Sequence, residues 1–128
     1  MMPGYNRISS FCGDHGVSAF SVDTDGYVPE LVEVMHAHGV NSFFPFEVQA
    51  GNDILSYREE YPDISLWGGL DKRAPARGRE EMHIELDRAT ELCAAGGYIA
   101  GFDHAVPPDV PWENFRYFMN ELKKIVGA

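Results

Sequence analysis

A chain of 128 residues with 45% hydrophobic content, and 12% aromatic residues overall, has the apolar material for one domain with its own core, which excludes a disordered chain. A net charge of −10 repels phosphate backbones and anionic bilayers, so nucleic acid and membrane surfaces are poor partners. No apolar run approaches the roughly 18 residues of a membrane span, and the opening MMPGYNRISS lacks the apolar stretch of a secretory signal; a cytoplasmic location is expected.

The first predicted element is a helix with Ile8, Phe11, Cys12 and His15 at i, i+3, i+4 and i+7, an apolar stripe that should face a sheet, stopped by Gly16 before a strand over Ser18 to Val22. Pro29 suits the first turn of a second helix, whose stripe is Leu31, Val34, Met35 and His38, and Gly39 ends it before a strand over Asn41 to Phe46. Ile54, Tyr57 and Tyr61 mark a third helix ended by Pro62, with a short strand over Ile64 to Trp67 closed by Gly68 and Gly69. The longest helix carries Met82, Leu86, Ala89 and Cys93 on one face and stops at Gly96-Gly97, and Tyr98 to Phe102 form the fourth strand. Pro111 then sets a first turn, and Phe115, Phe118, Met119, Leu122 and Ile125 give the last helix its buried face. Cys12 and Cys93 both lie on apolar sides of these patterns and are read as packing residues rather than as a disulfide or a metal pair.

Four alternating strand and helix units over residues 1–128, without a composition break, predict a single α/β domain with a parallel sheet. Two architectures fit: half of a (β/α)8 TIM-type barrel, or a small doubly wound sheet. A complete barrel takes about 250 residues, so length favours the half-barrel. No phosphate-cradling loop is present, because Gly96-Gly97 precedes a strand, whereas such a loop follows one and opens a helix.

Chemistry-bearing residues gather in one kind of place. Asp23 and Asp25 follow the first strand, Glu47 the second, Asp71, Lys72 and Arg73 the third, and Asp103 and His104 the fourth. Parallel α/β folds build active sites just beyond the C-terminal ends of their strands. Each residue also has a structural reading. Asp23 and Asp25 suit an Asx turn with Gly26, Asp103 can fix the imidazole of His104, and Lys72 with Arg73 can balance Asp71 or form an anion patch. Glu47 lies between Phe46 and Val48, and a carboxylate in apolar surroundings must be paired, metal-bound or raised in pKa. His15, His36, His38 and His83, and the carboxylates of GREEMHIELDR, read as surface or packing residues of helices.

The segments VDTDG, PFEVQAGNDILSYREEYP, WGGLDKR and GGYIAGFDHAVPPDVPWENF together resemble the uroporphyrinogen decarboxylase superfamily, which also includes cobalamin-dependent methyltransferases. The resemblance runs from about Tyr5 to the C-terminus and covers only the last half of a family member, so the four units correspond to the fifth to eighth of a (β/α)8 barrel. It implies decarboxylation of porphyrinogen acetate groups or corrinoid-linked methyl transfer. His104 matches the late histidine of the decarboxylase pattern, with Ala105 in place of the following glycine. In the methyltransferase branch that position is a zinc-binding cysteine, and Asp23-Thr24-Asp25-Gly26 stands where the other metal ligands occur. The family's pyrrole-gripping aspartate and essential arginine, near its N-terminus, have no counterpart here.

The expectations are therefore His104 and Glu47 as catalytic proton carriers, and Lys72, Arg73, Asp71 and Asp103 as residues that bind a small anionic substrate such as a tetrapyrrole or a methyl donor. Asp23, Asp25 and His104 are the candidate metal ligands, for one divalent Zn, Mn, Mg or Fe ion. An open half-barrel also exposes two strand edges and an inner face, placed by the sequence on Phe43, Pro45, Leu66 and Ile99. A homodimer or a complementary N-terminal half is the expected cover. The rival reading is a non-catalytic half-barrel fragment or one subunit of a split protein.

Overall fold

The computed structural model describes residues 2–127. Helix α1 (Met2–Asp14) leads to strand β1 (Ser21–Thr24), and β/α crossovers follow through α2 (Pro29–His36) to β2 (Ser42–Pro45) and α3 (Ile54–Glu60) to β3 (Ser65–Leu70). The next crossover runs through α4 (Ala74–Arg77) and α5 (Arg79–Ala95) to β4 (Tyr98–Phe102), and α6 (Trp112–Val126) follows. All strands pair in parallel in the order β1-β2-β3-β4. Right-handed crossovers that always step the same way lie on the same side, so the helices cover one face of the sheet and leave the other bare. A doubly wound sheet reverses its strand order and carries helices on both faces, and this sheet does neither.

Burial follows that asymmetry. Val22, Phe43, Leu66 and Tyr98 form one row across the register and point into the helix layer, where Phe43 and Leu66 are 1% and 0% exposed. There they meet Val32 and Met35 of α2, Ile54 and Tyr57 of α3, and Leu92 of α5. A second cluster joins Leu70 to Met82, Leu86 and Ala89 of α5 and to Phe118 and Leu122 of α6. The next row, Asp23, Phe44, Trp67 and Ile99, has the opposite parity. Trp67 and Ile99 remain 42% and 55% exposed, and Phe44 stacks on Trp67 at 4.6 Å between ring centroids. The inner face read from the sequence is thus corrected: Ile99 lies on it, whereas Phe43 and Leu66 belong to the helix side, since a shift of one residue exchanges the faces.

Other local differences have physical causes. The segment expected to start the first strand at Ser18 is tied to a side chain instead: Phe20 N–H donates to Asn41 Oδ1 at 2.8 Å, and Asn41 Nδ2 donates to Ser18 O at 2.9 Å. The stripe on α1 does not face the sheet. Ile8 and Phe11 are 50% and 62% exposed, and α1 instead touches the fold through Tyr5 against Phe20 and through Ser9 Oγ, which donates to His38 O. In α2 the buried positions are Val32 and Met35 while Val34 is exposed, one step from the expected stripe. Asp53 caps α3, accepting from Leu55 N–H and Ser56 Oγ. Glu85, read as part of a solvated face, is 6% exposed. Both cysteines are free and partly buried. Among the described residues, no helix is long and apolar enough to cross a membrane.

Strand β3 runs through Gly68 and Gly69 rather than ending at them. Both have positive φ, +84° and +73°, and a Cβ on Gly68 would lie 2.7 Å from Pro45 O, while one on Gly69 would run into the Ile54 side chain. These glycines let β3 press against β2 and α3 while carrying the chain on to Asp71. Gly69→Ala is expected to cost about 2–4 kcal/mol, from the left-handed backbone plus overpacking against Ile54, read as a lowered urea midpoint at unchanged slope. A midpoint equal to wild type would show that Ile54 does not fix this approach.

Candidate functional site

Because parallel strands end on the same side, the loops after β1, β2, β3 and β4 converge at one rim of the sheet. There a cleft of about 330 Å³ opens over the bare face, lined by Asp23, Asp25, Phe44, Trp67, Phe102 and His104 among others. Aromatic rings form its floor, and two carboxylates and an imidazole its rim. His104 is exposed, and its Nε2 faces Asp25 Oδ1 at 4.0 Å. Its Nδ1 accepts the Ala105 N–H at 2.8 Å, which leaves Nε2 to carry a proton toward the cleft.

Glu47 is placed by a sharp change of chain direction. Phe46 has φ +59°, a left-handed conformation that a bulky residue adopts only where its surroundings fix it, and its ring is buried against Tyr57 at 4.8 Å. Glu47 Oε2 accepts from Gly26 N–H at 3.0 Å, and Oε1 faces Lys72 Nζ at 3.4 Å. The Gly26 amide, helped against partial burial by Lys72 and His104, holds the Glu47 carboxyl below the usual glutamate range. Of the possibilities raised by its sequence context, Glu47 is the paired carboxylate. At neutral pH it is therefore ionised, the state of an electrostatic group or a base rather than of an acid.

Asp103 is 0% exposed. Its Oδ2 accepts from Val48 N–H at 2.8 Å and its Oδ1 from Lys72 N–H at 3.0 Å, while its own N–H donates to Leu70 O. Expected to bind substrate, it instead ties the β2 and β3 loops to β4. Asp71 is likewise occupied: Arg73 grips it through Nε and Nη2, both at 2.8 Å, and Arg77 adds a contact at 3.4 Å. Burial alone would raise Asp71, but the Arg73 fork and amide, with Arg77, outweigh it and hold the carboxyl low. Lys72 and Arg73, expected to form an anion patch, are thus both matched by carboxylates of their own chain.

Two residues that pattern reading passed over complete the rim. Asn52, 4% exposed, donates from Nδ2 to Gly26 O and Glu47 O, and its Oδ1 accepts from Val28 N–H and Tyr57 OH. Glu85 Oε2 accepts from Asp71 N–H at 3.0 Å, and burial pushes its carboxyl up. An asparagine in a loop carries no periodic signal, whereas Glu85 stands three residues after Met82 and four before Ala89, on the buried stripe of α5, a signal that the acidic run around it masked.

Asp23, Asp25 and His104 line the same cleft but do not meet at one point. Among the described residues, no three His, Cys, Asp or Glu side chains are grouped closely enough to hold a metal ion. As arranged, this donor set does not fit a metal centre. No family model matches the chain, and no curated protein is detectably similar to it.

Two outcomes follow from the buried acids. Asp103→Ala leaves the Val48 and Lys72 amides without their acceptor and is expected to cost roughly 2–6 kcal/mol, at about 1–3 per orphaned donor, measured by chemical denaturation. For Glu85 the folded pKa lies above the unfolded one, so the folded state holds the extra proton between the two values, and stability falls as pH rises through that window. Glu85→Gln keeps an acceptor for Asp71 N–H without the buried charge. Denaturation across pH 4 to 8 should show the variant lacking this decline and at least as stable as wild type at neutral pH; a variant clearly weaker at neutral pH would refute it.

Proposed function

We propose that this chain is one half of a (β/α)8 TIM-type barrel enzyme that contributes the proton-transfer side of the active site. The observation that carries the reading is the meeting of His104 and Asp25 at the strand C-terminal rim, beside the Glu47 to Lys72 pair and above a bare aromatic face. Sequential parallel order with helices on one side supports the barrel sector, since it is the arrangement that continues into a closed ring. The resemblance to the uroporphyrinogen decarboxylase superfamily supplies the reaction: decarboxylation of acetate groups on a porphyrinogen. The carbon–carboxylate bond breaks, its electron pair stays on the side-chain carbon, and a proton must be delivered there as CO₂ leaves. His104 is the group placed to deliver it: as imidazolium it would give up its Nε2 proton and relax to the neutral ring whose Nδ1 accepts the Ala105 N–H, and reprotonation from solvent, with that amide bond released, would restore the imidazolium opposite Asp25. Glu47, kept ionised, shapes the field and is not the donor. The corrinoid-linked methyl transfer that the same resemblance implies is less well supported: the cleft lining holds no thiol, and among the described residues no donor set is clustered.

Substrate anions need cations, and the basic groups of this rim are spent: Lys72 on Glu47, and Arg73 and Arg77 on Asp71. Cations for the acetate groups would come from whatever covers the bare face. Helix count favours one kind of cover. With α1 beside β1 and α6 beyond β4, both edges already have a flanking helix. Closing a ring with a second copy would crowd surplus helices into the two seams, whereas four strands joined by three helices would fit them. A complementary half is therefore favoured over a symmetric homodimer as the ring partner, and this complement is where a tetrapyrrole's anionic groups would be held.

The test is uroporphyrinogen decarboxylation by the chain together with its complementary half, comparing wild type with His104→Ala. Loss of the order of 10²-fold or more in turnover, at unchanged circular dichroism and melting temperature, is the expected result. Full turnover in the variant would remove the central residue of the proposal.

A further inference from the structure

Asn52 sits where the β1 and β2 loops meet the start of α3, 4% exposed, with every hydrogen-bonding position of its amide in use. Nδ2 donates to Gly26 O at 2.7 Å and to Glu47 O at 2.9 Å; Oδ1 accepts from Val28 N–H at 3.2 Å and from Tyr57 OH at 2.9 Å. One of those partners, Gly26, adjoins a residue of the cleft, and another is Glu47 itself. Gly26 follows Asp25, which faces His104, and the Gly26 N–H binds the Glu47 carboxylate while its C=O is held by Asn52. Glu47 is thus gripped twice, by its carbonyl through Asn52 directly and by its carboxylate through a Gly26 that Asn52 fixes. Burial pushes the Tyr57 phenol to about 12, so it remains a hydrogen-bond donor and locks the amide orientation from the α3 side.

We propose that Asn52 is a positioning residue of the cleft, whose amide welds the β1 loop to the β2 loop and so holds Glu47 against Lys72 and Asp25 against His104. This rests on the reading of Glu47 and His104 as the working groups of the cleft, but its test does not depend on turnover. A merely structural asparagine would lend stability without setting the environment of Glu47. A positioning asparagine sets both, because it holds the Gly26 whose N–H bonds that carboxylate at 3.0 Å.

The deciding experiment is carbon NMR titration of the Glu47 side-chain carboxyl, assigned through Glu47→Gln, in wild type, Asn52→Ala and Tyr57→Phe. In the folded Asn52→Ala protein the Glu47 midpoint is expected to move up toward that of an ordinary glutamate, and in Tyr57→Phe, which keeps both Nδ2 bonds, to stay close to wild type. An unchanged midpoint in a folded but destabilised Asn52→Ala overturns the proposal. Should that variant fail to fold, Asn52→Ser, which retains a hydroxyl acceptor for Val28 N–H, carries the same two readings. If His104→Ala leaves turnover intact while the Glu47 midpoint still moves in Asn52→Ala, the proposed reaction fails and the positioning role stands.

Discussion

The buried carboxylate of Asp103 is the tie on which the rim of this sheet depends. Strands of a parallel sheet run side by side, but beyond their ends the backbone loses its ladder partners and the loops are free to diverge. A polar group taken wholly out of water is tolerated only where its hydrogen bonds are made, and both Asp103 oxygens accept backbone amides, one from each neighbouring loop. Geometry follows from that requirement. Val48 cannot leave Asp103 without orphaning its amide, so the preceding Glu47 stays on the β3 side, and Lys72, held by the opposite oxygen, stays within reach of it. The weak 3.4 Å contact between Lys72 and Glu47 is a result of this arrangement more than its cause.

Charge is distributed on the same plan. A chain with net −10 has few cations to spend, and at the rim they are committed to internal carboxylates. Arg73 forms a two-point grip on Asp71, the geometry in which a guanidinium interacts most strongly. Such a pair is a fastener, and pulling Arg73 onto a substrate would strand a carboxylate that is 5% exposed. The face left to the cleft is therefore acidic and aromatic, suited to proton exchange through His104 rather than to gripping an anion.

The sequence made the architecture and the rim legible because both rest on strong, repeated signals. Glycine and proline punctuation marked every unit, β4 matched its predicted span, and placement after strand ends brought Asp25, Glu47, Lys72 and His104 to one region, while Asp23, expected just past the first strand, reaches it from within β1, which runs later than its predicted span. Individual roles were less legible, for identifiable reasons. Asp103 and His104 are adjacent in sequence and looked alike, yet alternation at a strand end sends one inward and the other outward. Face parity failed at Phe43 and Leu66 because short strands buried on one side and aromatic on the other show no hydrophobic alternation. Asn52 was missed because a buried polar hub is defined by what surrounds it, and its β1-loop partners Val28 and Gly26 lie 24 and 26 positions away, close to invisible in any local window, while Glu85 was hidden by the acidic run around it.

The bonds that fix the cleft all lie inside this chain. Asn52 joins the loops after β1 and β2, and Asp103 joins those after β2, β3 and β4, so the four strand ends are stapled in overlapping pairs without help from the bare side of the sheet. On the bare side, by contrast, Trp67 and Ile99 face outward, and among the described residues no further strand pairs with the β1 or β4 edge. Shape and closure are therefore separable. A complement docking on the aromatic row would not need to build the positions of His104, Asp25 and Glu47, since those are set before it arrives. It would exclude water and supply the cations, and exclusion of water strengthens the interactions the rim has already arranged. On the proposed reading, one half would preorganise and the other enclose, a division of labour that sequential parallel order allows, because crossovers that always step the same way keep their helices on one side and the loops after the strands at one end.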